Sequence, residues 1–244
     1  MTTIQTQSVQ VQNGDLAIEA YLAMPQGEGI YPAVIVIQEV FGVNEHIKDV
    51  TERFAQAGYI AIAPAIYQRL APGFAVGYTP EGLAQGREYK EQTKASELLS
   101  DLQSTLHYLH SLPQVKPGGV GCIGFCFGGH VAYLAATLPG IQATASFYGA
   151  GIATLTPGGG EPTLRRTSEI QGTLYAFFGE EDPLIPLEQV EQIEAELQKQ
   201  QISHQIFRYA GAGHGFFCDQ RPDYREAAAQ DAWQKVLQLF SSTL

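Results

Sequence analysis

A cysteine between glycines is the feature of the sequence with the clearest chemical meaning. The run Gly124-Phe125-Cys126-Phe127-Gly128-Gly129 follows an apolar segment typical of a buried strand and precedes a helical pattern. A nucleophile on such a strand-to-helix turn has a strained backbone, so small residues must flank it. The free N–H groups at the start of the following helix favour a thiolate. The pattern predicts that Cys126 is a nucleophile; the alternative is a glycine-rich turn holding a buried, inert cysteine.

An acid and a histidine follow Cys126 in the chain order that such a turn predicts. Asp182 comes after the apolar run 173–178 and before a proline, which keeps it out of helical geometry. His214 lies between glycines after the apolar run 205–209. Turn chemistry or a plain loop could explain either residue alone, but their order after separate strands favours a triad. In that triad Cys126 attacks a carbonyl carbon, His214 relays protons, and Asp182 orients the imidazole ring.

Two backbone amides are candidates for an oxyanion hole, which stabilises the tetrahedral intermediate of acyl transfer. One belongs to Phe127, directly after the nucleophile, and the other to Val40, in the loop after the apolar run 33–37. Glu39 precedes Val40 and is unusual at the end of a strand. Its carboxylate could accept a hydrogen bond from the neutral Cys126 thiol; the alternative is an ordinary solvent-facing glutamate.

Apolar runs alternate with helical patterns along the chain, which favours parallel βαβ units with helices on both faces of one sheet. Alternating segments at 5–12 and 15–24 flank Asn13-Gly14 and predict an antiparallel hairpin. The predicted fold class is therefore α/β, with a mostly parallel sheet and one domain over residues 1–244. Ligands bind at the carboxyl ends of the strands in such sheets. The predicted strands are 33–37, 59–63, 120–125, 143–148, 173–178 and 205–209; the predicted helices are 44–57, 81–110, 129–138, 187–200 and 222–242.

Two long segments lack a regular pattern. Residues 64–80 are rich in proline, glycine and tyrosine, and residues 151–170 form a polar excursion rich in glycine and proline. A loop of such length inside a compact domain is usually functional or mobile.

The composition argues against several classes of protein. A net charge of −11 repels nucleic acids and anionic membranes, and no apolar run approaches the roughly 18 residues of a membrane span. Three cysteines are too few for a disulfide framework and indicate a reducing, cytoplasmic location. No C-x-x-C, H-x-x-x-H or Walker pattern occurs, and no metal or cofactor is expected. Without heptads or an apolar surface stripe, the chain is expected to be a monomer.

Taken together, the motifs resemble those of the dienelactone hydrolase (carboxymethylenebutenolidase) family, and the resemblance covers residues 15–243. It implies an α/β-hydrolase fold, the triad of Cys126, Asp182 and His214, and a Glu39 that holds Cys126 at rest and releases it when substrate binds. The activity implied is opening of the lactone ring of dienelactone to maleylacetate. Besides the cysteine motif, the segments that carry the resemblance are Gln38-Glu39-Val40-Phe41-Gly42, Tyr67-Gln68-Arg69-Leu70-Ala71-Pro72-Gly73, the Asp182 loop and Ala210-Gly211-Ala212-Gly213-His214-Gly215-Phe216.

The sequence departs from the family at two arginines that grip the substrate carboxylate. Cys218 stands four residues after the histidine, where the family has one of them. Arg87 lies near the other but out of register by several residues. Arg87 and Arg69 are the candidates for substrate binding, and Arg208 or Arg221 could also compensate.

The predicted function is hydrolysis of a small ester or lactone through a thioester on Cys126. No nucleic-acid or membrane partner is expected. One alternative is a ligand-binding protein of the same fold with weak turnover, motivated by the missing arginine at Cys218. The other is acyl transfer or peptide cleavage by the same thiol.

Overall fold

A single sheet of eight strands organises the computed structural model, which describes residues 2–244. The strand order is β1-β2-β4-β3-β5-β6-β7-β8. β1 pairs with β2 and β2 with β4 in antiparallel fashion, whereas all other neighbours are parallel. This is the predicted α/β sheet with a hairpin at one edge. The strands are β1 (Ile4–Asn13), β2 (Leu16–Pro25), β3 (Ala33–Ile37), β4 (Ile60–Pro64), β5 (Val120–Phe125), β6 (Ile141–Phe147), β7 (Thr173–Gly179) and β8 (His204–Tyr209).

Helices cover both faces of the sheet, as the alternating pattern predicted. One apolar core contains side chains of α1, α5 and α6, and a second contains side chains of α3. Val34 and Val36 of β3 lie in the first core, and Ile35 and Ile37 in the second, because successive strand residues point to opposite faces. The helices are α1 (Glu45–Gln56), α2 (Pro80–Gln92), α3 (Ala95–Ser111), α4 (Phe127–Ala135), α5 (Leu187–Lys199) and α6 (Glu226–Thr243), with a 3₁₀ helix at Thr163–Glu169.

The turn of the hairpin lies one residue later than the sequence predicted. Asn13 pairs with Leu16, so Gly14 and Asp15 are the central residues. Gly14 has φ of +59°, while Asp15 is not among the residues with positive φ. This is the pattern of a type II′ turn, in which glycine takes the first central position.

The predicted helix over 81–110 is divided into α2 and α3. Thr93 and Lys94 between them are extended, with ψ of 153° and 138°. The Thr93 hydroxyl donates to the Lys90 carbonyl at 2.7 Å, a local bond that competes with helix continuation. The N–H of Ala95 then donates to the carbonyl of Pro157 at 2.8 Å, so the break attaches the 151–170 excursion to the helical layer.

None of the helices in residues 2–244 combines the length and apolar character needed to cross a membrane.

Close backbone contact fixes α2 against the loop after β3. A Cβ atom on Gly86 of α2 would lie 2.0 Å from the carbonyl oxygen of Val40. The Tyr67 hydroxyl donates to the Gly86 carbonyl at 3.2 Å. Only glycine allows this approach, so the 64–80 segment, α2 and the 38–42 loop form one packed unit.

We therefore expect Gly86→Ala to lower the free energy of unfolding by about 1–3 kcal/mol, as overpacking of a core does. Helix propensity alone would favour alanine by about 1 kcal/mol, so the contact with Val40 reverses the sign. Urea unfolding measures the difference. Gly77→Ala is the control, since nothing lies within 4 Å of a Cβ there. A stabilised Gly86→Ala protein would contradict the packing described.

Candidate functional site

The backbone at Cys126 is strained in the way the glycine pattern predicted. Cys126 joins β5 to α4 with φ of 55° and ψ of −119°, a conformation that costs a side chain of order 1–3 kcal/mol. A Cβ on Gly124 would lie 1.9 Å from the carbonyl oxygen of Gly128, and one on Gly128 would lie 2.3 Å from that of Gln38. Both flanking glycines are therefore needed for the turn to close.

The loops after β7 and β8 carry Asp182 and His214 and touch each other directly. The N–H of Glu181 donates to the carbonyl of Ala212 at 2.9 Å. A Cβ on Gly179 would lie 2.2 Å from the same carbonyl oxygen, so glycine at the end of β7 permits the contact. The two loops thus bring together residues that lie 32 positions apart.

His214 and Asp182 form a buried hydrogen-bonded pair. Nδ1 of His214 donates to Oδ2 of Asp182 at 2.8 Å, and the Asp182 side chain is fully buried. The other oxygen, Oδ1, accepts from the N–H of Leu184 at 2.8 Å. Both carboxylate oxygens are therefore occupied, which fixes the direction of the imidazole ring.

A negative charge on Cys126 raises the pKa of the His214 ring. Burial by itself lowers the pKa of His214, but the Cys126 thiolate and the Asp182 carboxylate outweigh it and raise this pKa to about 10. Nε2 of His214 is buried and has no well-formed hydrogen bond within residues 2–244. This nitrogen is therefore available to exchange a proton, and such contacts often tighten only when substrate is bound.

Cys126 and His214 line one cavity of about 750 Å³ at the carboxyl ends of the strands. Val40 and Phe127, the predicted oxyanion-hole residues, line it as well. Neither of their amides donates a backbone hydrogen bond within the described chain. The 151–170 excursion adds Leu155 to the wall.

His130 of α4 attaches this excursion to the helix that starts at the cysteine. Its Nδ1 is 2.9 Å from the carbonyl oxygen of Ala150, and its Nε2 is 2.7 Å from Oγ1 of Thr163. Burial lowers the pKa of His130 to about 4, so the ring is neutral. One ring nitrogen therefore donates and the other accepts.

Glu39 is completely buried, so the solvent-facing alternative is wrong. Its Oε2 accepts from the Tyr78 hydroxyl at 2.6 Å, and its Oε1 accepts from Arg221 at 3.0 Å. Within residues 2–244 it makes no hydrogen bond to Cys126. In this state the carboxylate is held by an arginine and a tyrosine rather than by the thiol.

Arg221 is one of two arginines that line the cavity. A Cβ on Gly215 would lie 2.6 Å from Cζ of Arg221, so the glycine after His214 makes room for the guanidinium. Its plane lies over the Tyr78 ring, with Cζ 5.6 Å from the ring centroid. Burial lowers the pKa of Arg221, but the charge of Glu39 outweighs this and raises it.

Of the two arginines predicted to bind substrate, one lines the cavity and the other does not. Arg87 of α2 is exposed and lines the cavity, next to Lys90. Arg69 does not reach it: its guanidinium bonds both oxygens of Asp101, at 2.6 and 3.1 Å. The prediction for Arg69 is therefore wrong, because the buried Asp101 carboxylate holds this side chain against α3. Arg208, the other residue considered, pairs with Glu194.

Tyr78 and Cys218 are neighbours of the site that residue patterns did not assign. The only sequence signal for Tyr78 is its place in the irregular 64–80 segment. Cys218 is buried, and burial together with the charge of Glu39 raises the pKa of its thiol to about 12. Cys122, on β5, is likewise fully buried. A further cleft of about 570 Å³ along β1 and β2 has no cysteine or histidine among its lining residues.

Comparisons with known proteins identify the family. The model of the Dienelactone hydrolase family matches residues 18–244. A Synechocystis protein named "Putative carboxymethylenebutenolidase" is 61% identical over 241 residues, covering 99% of this chain and 98% of that protein. A Bradyrhizobium protein named "Probable 2-oxo-3-(5-oxofuran-2-ylidene)propanoate lactonase" is 33% identical, covering 92% of this chain and 89% of that protein.

A solved structure supports the same assignment. The crystal structure described as a "Putative Dienelactone Hydrolase" from Klebsiella pneumoniae superposes with a TM-score of 0.89 at 28% identity, covering 98% of this chain and 99% of that one. The fold and the family predicted from the motifs are both confirmed. With the α/β-hydrolase fold and a family match over nearly its whole length, the chain belongs to the dienelactone hydrolase family.

Proposed function

We propose that this protein hydrolyses a small ester or lactone with Cys126 as nucleophile, His214 as acid and base, and Asp182 as the group that orients His214. One observation carries the proposal. The buried His214–Asp182 pair opens onto the same cavity as Cys126, although the three residues follow three different strands. The names of the two relatives, a carboxymethylenebutenolidase and a lactonase, support this substrate class.

The first half of the reaction forms a thioester. In the resting pair the Cys126 proton lies on Nε2 of His214, and the thiolate sulfur attacks the carbonyl carbon of the substrate. The N–H groups of Phe127 and Val40 stabilise the negative oxygen of the tetrahedral intermediate. The carbon–oxygen bond to the leaving group then breaks, and His214 returns the proton to the leaving oxygen.

The second half releases the acid. His214 takes a proton from water, the hydroxyl oxygen attacks the thioester carbon, and the carbon–sulfur bond breaks. Cys126 leaves as thiolate beside the protonated His214, which restores the resting pair. With a lactone, the leaving oxygen stays in the same molecule, so one ring-opened hydroxy acid is the product.

Glu39 has a positioning role in this proposal. It accepts hydrogen bonds from Arg221 and Tyr78. A carboxylate on the substrate competes with Glu39 for Arg221, which alters the charges around Cys126. Substrate binding and activation of Cys126 are then linked through one guanidinium group.

The positively charged side chains that line the cavity favour an anionic substrate. Arg87, Lys90 and Arg221 line it, against Glu91 and Asp223. Arg221 supplies the positive charge that Cys218 cannot, which removes the motivation for a binding protein without turnover. We therefore favour a lactone or ester that carries a carboxylate.

Replacement of the triad residues tests the proposal. Cys126→Ala and His214→Ala should abolish hydrolysis of a small aryl ester and of a lactone. The first removes the sulfur that bonds to the substrate, and the second removes the ring that transfers protons. Asp182→Asn should lower kcat by about 10²–10⁴-fold, since the ring loses its orienting acceptor. Cys122→Ala and Glu181→Gln are matched controls and should retain activity. Full activity in Cys126→Ala would exclude the mechanism.

The protonated state of His214 predicts a pH dependence of stability. Its pKa is raised from 6.5 to about 10, so between these values the folded protein holds a proton that the unfolded chain has lost. The stabilising contribution is complete below pH 6.5 and disappears as the pH rises through about 10.

Urea unfolding across this pH range measures the effect. The free energy of unfolding should fall more steeply with pH in the wild type than in His214→Gln. His107→Gln, an exposed histidine on α3, is the control and should keep the wild-type slope. Equal slopes for wild type and His214→Gln would contradict the raised pKa.

Substitution of Arg221 tests the preference for anions. Arg221→Gln should raise KM for a carboxylate-bearing lactone by about tenfold to a hundredfold, the range expected for one lost charged hydrogen bond. KM for an uncharged ester of similar size should change little. Arg165→Gln, an exposed arginine outside the cavity, serves as control. An equal loss for both substrates would instead indicate general damage around Glu39.

A further inference from the structure

A buried histidine without a partner lies outside the proposed triad. His46 of α1 is 1% exposed, and neither of its ring nitrogens has a hydrogen-bond partner in residues 2–244. Its ring packs edge-on against Phe125 and Phe217, with centroids 5.7 and 6.3 Å away. Buried polar side chains are normally paired, so this ring has an unused ligand atom.

Two further side chains that can bind a metal lie next to the His46 ring. The ligand atoms of His46, Cys218 and Asp219 all lie within 4.8 Å of one another. Cys218 is buried, whereas Asp219 is exposed. A nitrogen, a sulfur and an oxygen donor therefore converge from α1 and from the loop after β8.

We propose that His46, Cys218 and Asp219 form a binding site for a divalent transition-metal ion of the zinc class. Zinc takes imidazole, thiolate and carboxylate ligands together in tetrahedral sites. The ligand atoms of such a site are about 3.3–3.8 Å apart, given metal–ligand distances of about 2.0–2.3 Å. The ligand atoms of this cluster all lie within 4.8 Å of one another, and the exposed Asp219 can move inward where a pair is wider than a metal requires. Water fills the fourth position.

The two buried ligands differ in whether they must lose a proton before they bind a metal. Burial lowers the pKa of His46, so its ring is neutral and ready to bind. The Cys218 thiol is protonated at neutral pH. Binding therefore breaks its S–H bond, forms a metal–sulfur bond, and releases one proton to solvent.

Charges around the cluster are mixed. Glu39 and Asp49 attract a cation, and Arg53 and Arg221 repel it. The charge of Tyr78 matters only at high pH, because burial raises its pKa far above neutral.

Solvent can reach the Asp219 end of the cluster through a cleft other than the catalytic cavity. Asp219 lines a small cleft of about 110 Å³ together with Arg53 and Tyr224. Cys126 and His214 line the other cavity. The proposed metal site is thus distinct from the triad. The sequence patterns could not indicate it, because His46 and Cys218 lie 172 positions apart and form no spacing motif.

Cadmium titration tests the site, because a cadmium–thiolate bond has a charge-transfer absorption in the ultraviolet. We would use Cys126→Ala protein, so that the triad thiol cannot bind the ion. One equivalent of Cd²⁺ should produce the band, and Zn²⁺ should displace it. Adding Cys218→Ala should remove the band, whereas adding Cys122→Ala should leave it. A band that survives Cys218→Ala, or no band in Cys126→Ala, would overturn the proposal.

Two further readouts do not depend on a buried substitution. Asp219→Asn alters an exposed side chain and should weaken Zn²⁺ binding about tenfold or more, as loss of an anionic ligand does. Zn²⁺ affinity should also fall as the pH is lowered, because protons compete for Cys218. Unchanged affinity in Asp219→Asn, or affinity independent of pH, would rule out this ligand set.

Discussion

The strained turn at Cys126 is the constraint on which the site depends. A side chain at φ of 55° is unfavourable unless its surroundings hold it there. Here the carbonyl oxygens of Gln38 and Gly128 occupy the space next to Gly128 and Gly124. The turn therefore binds the β3 loop to the start of α4. That contact brings Val40 and Phe127 to the same cavity as the thiol, and neither of their amides donates a backbone hydrogen bond within residues 2–244.

Buried charge is the second organising feature. Glu39, Asp182 and Arg221 would each be costly in an apolar interior without a partner. Asp182 is balanced by His214, and Glu39 by Arg221 and Tyr78. Both pairs contribute to the same cavity, so in the proposed reaction a carboxylate on the substrate competes with one of them.

Most of the fold follows from local patterns in the sequence. Fully apolar runs mark strands buried on both faces, and Asn44 begins α1 as a side-chain cap, accepting from the N–H of Ile47 at 3.3 Å. Cys126, Asp182 and His214 follow the ends of β5, β7 and β8, and parallel strands deliver their carboxyl ends to one edge. The break at Thr93 was missed, since a single hydroxyl bond and a distant carbonyl create it.

The residues that could not be predicted are those whose partners are remote in the chain. Arg69 has the charge expected of a substrate-binding residue, but its guanidinium is hydrogen-bonded to the Asp101 carboxylate. Arg221 reaches the cavity only because Gly215 leaves room for it. The spacing of residues in the sequence predicts neither outcome, because each depends on which side chain lies next to the arginine in the folded protein.

Acid-quench mass spectrometry of the protein with a slowly hydrolysed ester tests the central claim most directly. The account predicts that the acyl mass is found on the peptide containing Cys126 and is released by hydroxylamine, as a thioester is. Turnover with no acyl group on this peptide, or with the acyl group on another residue, would contradict it.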